Sequence, residues 1–313
     1  MAFFPSSWRV WAGPLVRWGY LPLLLLGGNG LAIFLASAGV APGWFLLLQG
    51  GAIVVSLLAE RVLPYRADWN QPKGDGLRDV LHAFGNEALN MGTLAAMPLI
   101  SAALPLHDRW PRSWPFVLQV LLAIFVLDAG ITLTHWASHR ILFLWRFHAV
   151  HHSIQRFYGF NGLMKHPLHR LLEASVGAFP LLIAGLPEEV AHAISVAVSL
   201  QLLLQHSNVD YAVGPLRHVL SLNEGHRFHH LKWQQVGDVN FGLFTLLWDH
   251  LLGTACVDPS VRFDSGMLGI ARWPVYPVHY TGQLLAPFRA QEEANVSLPD
   301  GWRQSGGITS QSD

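Results

Sequence analysis

The chain has 313 residues, a formal net charge of zero, 51% hydrophobic residues and only 13% charged ones. Soluble domains carry about 25% charged residues, so this balance points to a bilayer, and the absence of a basic excess argues against a nucleic-acid partner. A single cysteine, Cys256, excludes an internal disulfide and a cysteine-based zinc or iron–sulfur site.

In chain order, apolar stretches at 19–40, 43–58, 88–106 and 115–134 predict four spanning helices, each near the ~20 residues a bilayer requires. Arg9 and Arg17 precede the first stretch, which leads straight into the next: an uncleaved first membrane helix rather than a secretory signal. Pro98 and Pro105 predict that the third is kinked or short. A further apolar block, 171–204, is broken by Gly185-Leu-Pro187-Glu188-Glu189. Histidine motifs border both of its ends, so a helical hairpin, spanning or re-entrant, is expected. Lys and Arg are absent between the first two stretches. They gather at Arg61, Arg66, Lys73 and Arg78, and at Arg140, Arg146, Arg156, Lys165 and Arg170. This asymmetry predicts that the N-terminus and the histidine region face the cytoplasm. Beyond Asp258 periodicity fades, and 304–313 reads as a disordered tail. The expected organisation is N-terminal membrane helices at 1–59, a catalytic domain at 60–255 and a C-terminal extension at 256–313. The expected fold is an all-α integral membrane protein: about four transmembrane helices, an apolar helical hairpin and a cytoplasmic histidine-rich helical cap.

Of 17 histidines, 13 fall between residues 135 and 230. Eight of them form His135-Trp-Ala-Ser-His139, His148-Ala-Val-His151-His152 and His226-Arg-Phe-His229-His230. Separations of three and four residues place imidazoles on one helical face. One ion takes about four to six protein ligands, so these eight, with His206 at the end of an apolar helix, point to two metals. Softness alone does not choose among iron, zinc, copper and nickel. The HExxH motif of zinc hydrolases is absent, whereas many imidazoles around two redox metals suit oxygen activation. Asp128 stands seven residues before His135, on the same predicted face, and is expected to orient a ligand imidazole at membrane depth. Asp210, four residues after His206, and Asn208 between them are further polar candidates. His166 is a candidate for lining the site, and His169 a weaker one. His82, His107, His192, His218, His250 and His279 have no ligand spacing and are expected to pack or lie at the surface. A non-enzymatic membrane metal-binding or transport protein is the competing reading.

In order along the chain, these residues resemble the fatty acid hydroxylase / sterol desaturase superfamily. The resemblance rests on Asp128, on His135-Trp-Ala-Ser-His139-Arg, on His148-Ala-Val-His151-His152-Ser and on Asn161 followed by His166-Pro. It continues through His206-Ser-Asn208, His226-Arg-Phe-His229-His230 and the segment from Asp238-Val-Asn240 to Gly253-Thr254. Glu60-Arg-Val-Leu-Pro64 resembles the family's entry to its core, so about 60–255 is covered. The resemblance implies a helical membrane enzyme with a non-haem di-iron centre, in which zinc can replace iron on purification. Such an enzyme uses O2 and reducing electrons to hydroxylate or desaturate a sterol, fatty acyl or related lipid. By position it implies ligand roles for His135, His139, His148, His151, His152, His206, His226, His229 and His230, and a structural role for the segment containing Asn240. There is no room for a fused cytochrome b5-like domain, so electrons are expected from a separate ferredoxin- or cytochrome b5-like protein and its reductase. Two departures loosen any inference about substrate. His169 stands where the family has glutamate, and Trp136 where it often has arginine.

Overall fold

The computed structural model describes residues 6–103 and 109–298. The expected tail at 304–313, Pro105 and His107 lie outside these residues. Among the described residues the fold is helical, with two isolated antiparallel bridges, Pro64–Val209 and Leu220–Thr245.

Among the described residues, three helical spans are long and apolar enough to cross a membrane: Val10–Ser37, Gly43–Val62 and Phe116–Arg140. The first starts nine residues before the expected boundary and is built from α1 (Ser6–Pro22), a π-helical stretch (Leu23–Gly28) and α2 (Asn29–Ser37). Pro22 cannot donate to the turn before it, and the wider π turn absorbs the defect. Asn29 Nδ2 donates to the Leu25 carbonyl at 2.8 Å, filling an acceptor at the irregularity. Arg17 therefore lies inside α1 rather than flanking it. The second span is α3 (Gly43–Val62) and the third is α5 (Phe116–Arg140). The stretch expected at 88–106 falls in α4 (Gly76–Ala103), which is not among the three. Asn86, Glu87 and Asn90 dilute its apolar character. Trp11, Trp18, Leu47, Phe125 and Leu133 remain exposed on the spans, as side chains facing lipid tails would be.

The block at 171–204 forms α7 (Pro167–Ile183) and α8 (Glu188–His206), joined by a tight turn with Gly185 at φ 83°. The two helices separate after the turn. α7 packs on α5 and α4, whereas α8 packs mainly on α2, α3 and α5. The α5–α7 crossing is set by two glycines. A Cβ on Gly130 would lie 2.6 Å from Gly177 Cα, and one on Gly177 would lie 2.8 Å from Leu127 Cδ1. Small residues at such a crossing let the backbones approach. Short helices cap one end: α6 (Leu142–His152), α9 (Asn223–His229), α10 (Gln234–Gly237), α11 (Leu247–Leu252) and α12 (Tyr280–Leu285).

Candidate metal centre

The nine histidines expected as ligands come together as two buried groups. His135, His139, His148, His152 and His229 form one; His151, His206, His226 and His230 form the other. Within each group the possible ligand atoms all lie within 4.8 Å of one another. Helical geometry explains the division. On α6, His148 and His152 are four apart and share a face, while His151 is turned by about 100°. In α9 and the residue after it the pattern is reciprocal: His226 and His230 share one face and His229 takes the other. The end of α5 supplies two imidazoles to the five-histidine group, and the end of α8 supplies His206 to the four-histidine group.

The Nε2 atoms converge. His135–His148, His148–His152 and His152–His229 are each 3.0 Å apart. In the second group His206 lies 3.2 Å from His151 and 3.1 Å from both His230 and His226. The opposite ring nitrogens show what these atoms carry. Nδ1 of His135 faces the Phe241 carbonyl at 2.7 Å, that of His151 the Met164 carbonyl at 2.9 Å and that of His206 the Leu202 carbonyl at 3.1 Å. Nδ1 of His229 faces the Val239 carbonyl at 2.9 Å, and that of His139 faces Asp238 Oδ1 at 2.8 Å. A carbonyl or carboxylate only accepts, so each of these Nδ1 atoms holds the proton, and in a neutral ring that leaves Nε2 as a bare lone pair. His139 Nε2 is buried without a hydrogen-bond partner. Converging lone pairs repel one another unless a cation sits among them. Their spacing suits donors ~2.0–2.1 Å from a common ion. Burial and the neighbouring imidazoles push His148, His151, His152, His226, His229 and His230 well below the usual histidine pKa. That favours the neutral, ligating form.

The other candidates are placed differently. Asp128 does not touch an imidazole. Its carboxylate accepts from the backbone N–H groups of Leu243, Phe244 and Thr245 and from Thr245 Oγ1, at 2.8–3.2 Å. The helical phase is as expected, but seven residues are ~10 Å of helix, too far for a carboxylate to reach His135. Asp249 holds the same loop, accepting from Phe241 and Gly242 N–H at 2.8 Å. The two aspartates thus aim the carbonyl that orients His135. The direct carboxylate partner is Asp238, on His139. Asp210 is half-exposed and paired with Arg17 at 2.7 Å. The helix ends at His206, so four-residue spacing no longer places Asp210 on that face. Asn208 fastens the chain to the Arg66 backbone and Asn70 Oδ1 rather than to the site. His166 caps α7 and reaches the Leu284 carbonyl at 3.2 Å, apart from both groups. Asn240 has φ 54° and bonds Gly225 and Cys256, buttressing α9 from behind.

His169 is closer to the centre than its weak spacing suggested. It groups with His148 and Glu173, its Nε2 is 2.9 Å from Ser138 Oγ, and Glu173 takes Lys165 Nζ at 2.6 Å. The His169–Glu173 spacing of four was visible in the sequence. Asp238 gave no such signal, because it meets His139 across 99 positions. Glu60, buried on α3, accepts from Gly159 N–H at 2.6 Å and Asn208 N–H at 3.0 Å, tying the spans to the cap.

Beside the four-histidine group lies a cavity of about 710 Å³ between α3, α4 and α8. Its wall includes Gly162, where a Cβ would come within 2.8 Å of His206 Nδ1.

Fold and site together define a helical membrane protein whose buried, all-imidazole groups form a metal site. A sequence model of the fatty acid hydroxylase family matches residues 120–254. The ornithine lipid hydroxylase OlsE of Rhizobium tropici is 32% identical over 261 residues, 80% of this chain and 78% of that protein. Alkylglycerol monooxygenase of Danio rerio is 26% identical over 148 residues, 46% of this chain and 31% of that protein; the Homo sapiens enzyme is 25% identical over the same length. No solved structure matches significantly. The chain belongs to the fatty acid hydroxylase family. It is a membrane lipid hydroxylase, an O2-dependent oxidoreductase.

Proposed function

We propose that this chain is a non-haem di-iron oxygenase that hydroxylates an amino-acid-headed membrane lipid of the ornithine lipid kind. The observation that carries the reading is the pair of buried groups whose Nε2 lone pairs converge, while carbonyls and Asp238 hold the opposite nitrogens. The nine histidines would hold two metals, five donors on one and four on the other. Iron held there would activate O2 for insertion of one oxygen atom into a C–H bond, which zinc cannot do; zinc would still bind these imidazoles and can replace iron on purification. The residues of the chain position and shield. Asp238 and the four carbonyls fix tautomer and ring angle, Asp128 and Asp249 hold the loop bearing one of those carbonyls, and α6 and α9 close the centre from water. The cavity beside Gly162 takes the lipid, and its substrate comes from the bilayer.

We further read α4 as a fourth span whose polar face is turned to that cavity, and the histidine cap as cytoplasmic, where a separate ferredoxin- or cytochrome b5-like donor and its reductase supply electrons. The similarity to an ornithine lipid hydroxylase supports the substrate class, and the Lys/Arg asymmetry supports the orientation. The test combines metal analysis of the purified protein with lipid mass spectrometry of cells with and without it. Two metals per chain and an ornithine lipid heavier by one oxygen are expected. One metal or fewer at full occupancy, or an unchanged lipid profile, would refute the reading.

A further inference from the structure

The large cavity is mostly apolar, yet two opposite charges line it: Arg170, in the first turn of α7, and Glu87 on α4. Lys165 also lines it, but its ammonium is engaged by Glu173 at 2.6 Å. Among the described residues the Arg170 guanidinium has no hydrogen bond or ion pair. It feels Glu87 and Glu173 only as charges at longer range. Glu87 accepts one long bond, 3.3 Å, from Asn90 Nδ2. Next to it Asn86 donates to the carbonyls of Leu163 and Lys165 at 3.1 and 2.9 Å, while its Oδ1 is buried without a partner. The deeper polar groups satisfy one another: Asn90 with Ser195 at 2.9 Å and Gln49 with Ser199 at 3.0 Å. Unmet polar capacity is therefore concentrated on Arg170, Glu87 and Asn86, beside the 162–165 segment that adjoins His206.

A cation and an anion left unpaired on an apolar cavity are costly and mark a binding function. A guanidinium presents a planar fork that fits a carboxylate in two parallel bonds. A carboxylate with a free amide oxygen beside it accepts from an ammonium. We infer that Arg170 and Glu87, with Asn86 Oδ1, select the substrate by the two charges of a zwitterionic amino-acid head group, Arg170 taking its carboxylate and Glu87 its ammonium. This assignment rests on the aminolipid reading above and adds the residues that enforce it. The apolar remainder, lined by Leu46, Ile53, Met91, Val198 and Leu202, receives the acyl chain.

The test measures binding of three probes to the full-length protein in nanodiscs: N-palmitoyl-ornithine, its carboxamide, and N-palmitoyl-norvaline, which lacks the side-chain amine. Arg170→Gln should weaken N-palmitoyl-ornithine at least about tenfold and leave the carboxamide little changed. Glu87→Gln should weaken N-palmitoyl-ornithine similarly and leave the norvaline lipid little changed, and Arg170→Lys should retain part of the affinity. Metal content and melting temperature report folding of each variant. Equal losses on all three probes, no loss on any, or tighter binding of phosphatidylethanolamine than of N-palmitoyl-ornithine would overturn the inference. If the wild type still adds oxygen to the aminolipid in those cases, only the head-group assignment falls. If it neither oxidises nor binds the aminolipid, the substrate reading falls with it.

Discussion

The two histidine groups are built from the same side chain and the same helical spacing, but their surroundings differ. The five-histidine group has carboxylates at hand: Asp238 bonds His139 directly, and Glu173 stands with His169 beside His148. The four-histidine group has none at its ligands. His151 and His206 lean on backbone carbonyls, and Phe157 stacks on His206 with ring centroids 5.3 Å apart. On the di-metal reading proposed above, the five imidazoles of the first group would nearly fill one coordination sphere. The second has four histidines and adjoins the cavity through Gly162. On that same reading, the asymmetry would give anchoring to the five-histidine site and reaction with substrate to the four-histidine site.

The largest effects break the comparison outright. Replacing His148 with alanine should empty the five-histidine site, and His151→Ala the four-histidine site. Each variant should hold about one metal instead of two and lose detectable hydroxylation, as read by elemental analysis beside a lipid assay. If either variant keeps both metals and full activity, the division into two sites is wrong. Gly162→Ala attacks only the second group. Its new methyl would lie 2.6 Å from the Leu202 carbonyl and 2.8 Å from His206 Nδ1, and backbone cannot yield cheaply. Loss of about one metal, with the five-histidine site retained, is the expected outcome.

Carboxylate variants sharpen the comparison further. Asp238→Asn removes the anion behind His139 and should cost about 10–100-fold in metal affinity or turnover, confined to the five-histidine site. Asp128→Asn acts one step removed, through the 243–245 loop. It should lower the melting temperature, consistent with about 1–3 kcal/mol for buried donors left unsatisfied, and reduce activity less than Asp238→Asn. The reverse ranking would return Asp128 to the role its helical phase first suggested.

Acidity should act on both groups. Burial depresses the folded pKa of His148, His151, His152, His226, His229 and His230 below the ordinary 6.5. Below about pH 6.5 the unfolded chain binds protons that the native imidazoles refuse, so stability falls as pH falls. Melting of the metal-free protein at pH 7.5 and 5.5 checks the sign; greater stability at the lower pH would contradict it. The smallest effect belongs to His250→Ala. That imidazole is exposed, bonds the His218 carbonyl at 2.9 Å and lies outside both groups, so activity should stay within about twofold of wild type.

Local periodicity brought out eight of the nine histidines, because HxxxH and HxxHH reflect the 3.6-residue turn and each box lies on a helix, while His206 was singled out by its place at the end of an apolar helix. The same reasoning made the chain helical and membrane-bound, since bilayer thickness and apolar length are both local quantities. It misjudged what depends on distance through space. Asp128 had the right phase but sat ~10 Å too low on α5. Asp210 had the right spacing on a helix that had already ended. Asp238 and Glu60 hold the centre by meeting partners far along the chain, and no window of sequence contains both halves of such a contact. The sorting of nine imidazoles into five and four was likewise decided by tertiary structure. A helix fixes which side chains share its face, but only the packing of four helix ends fixes which faces meet.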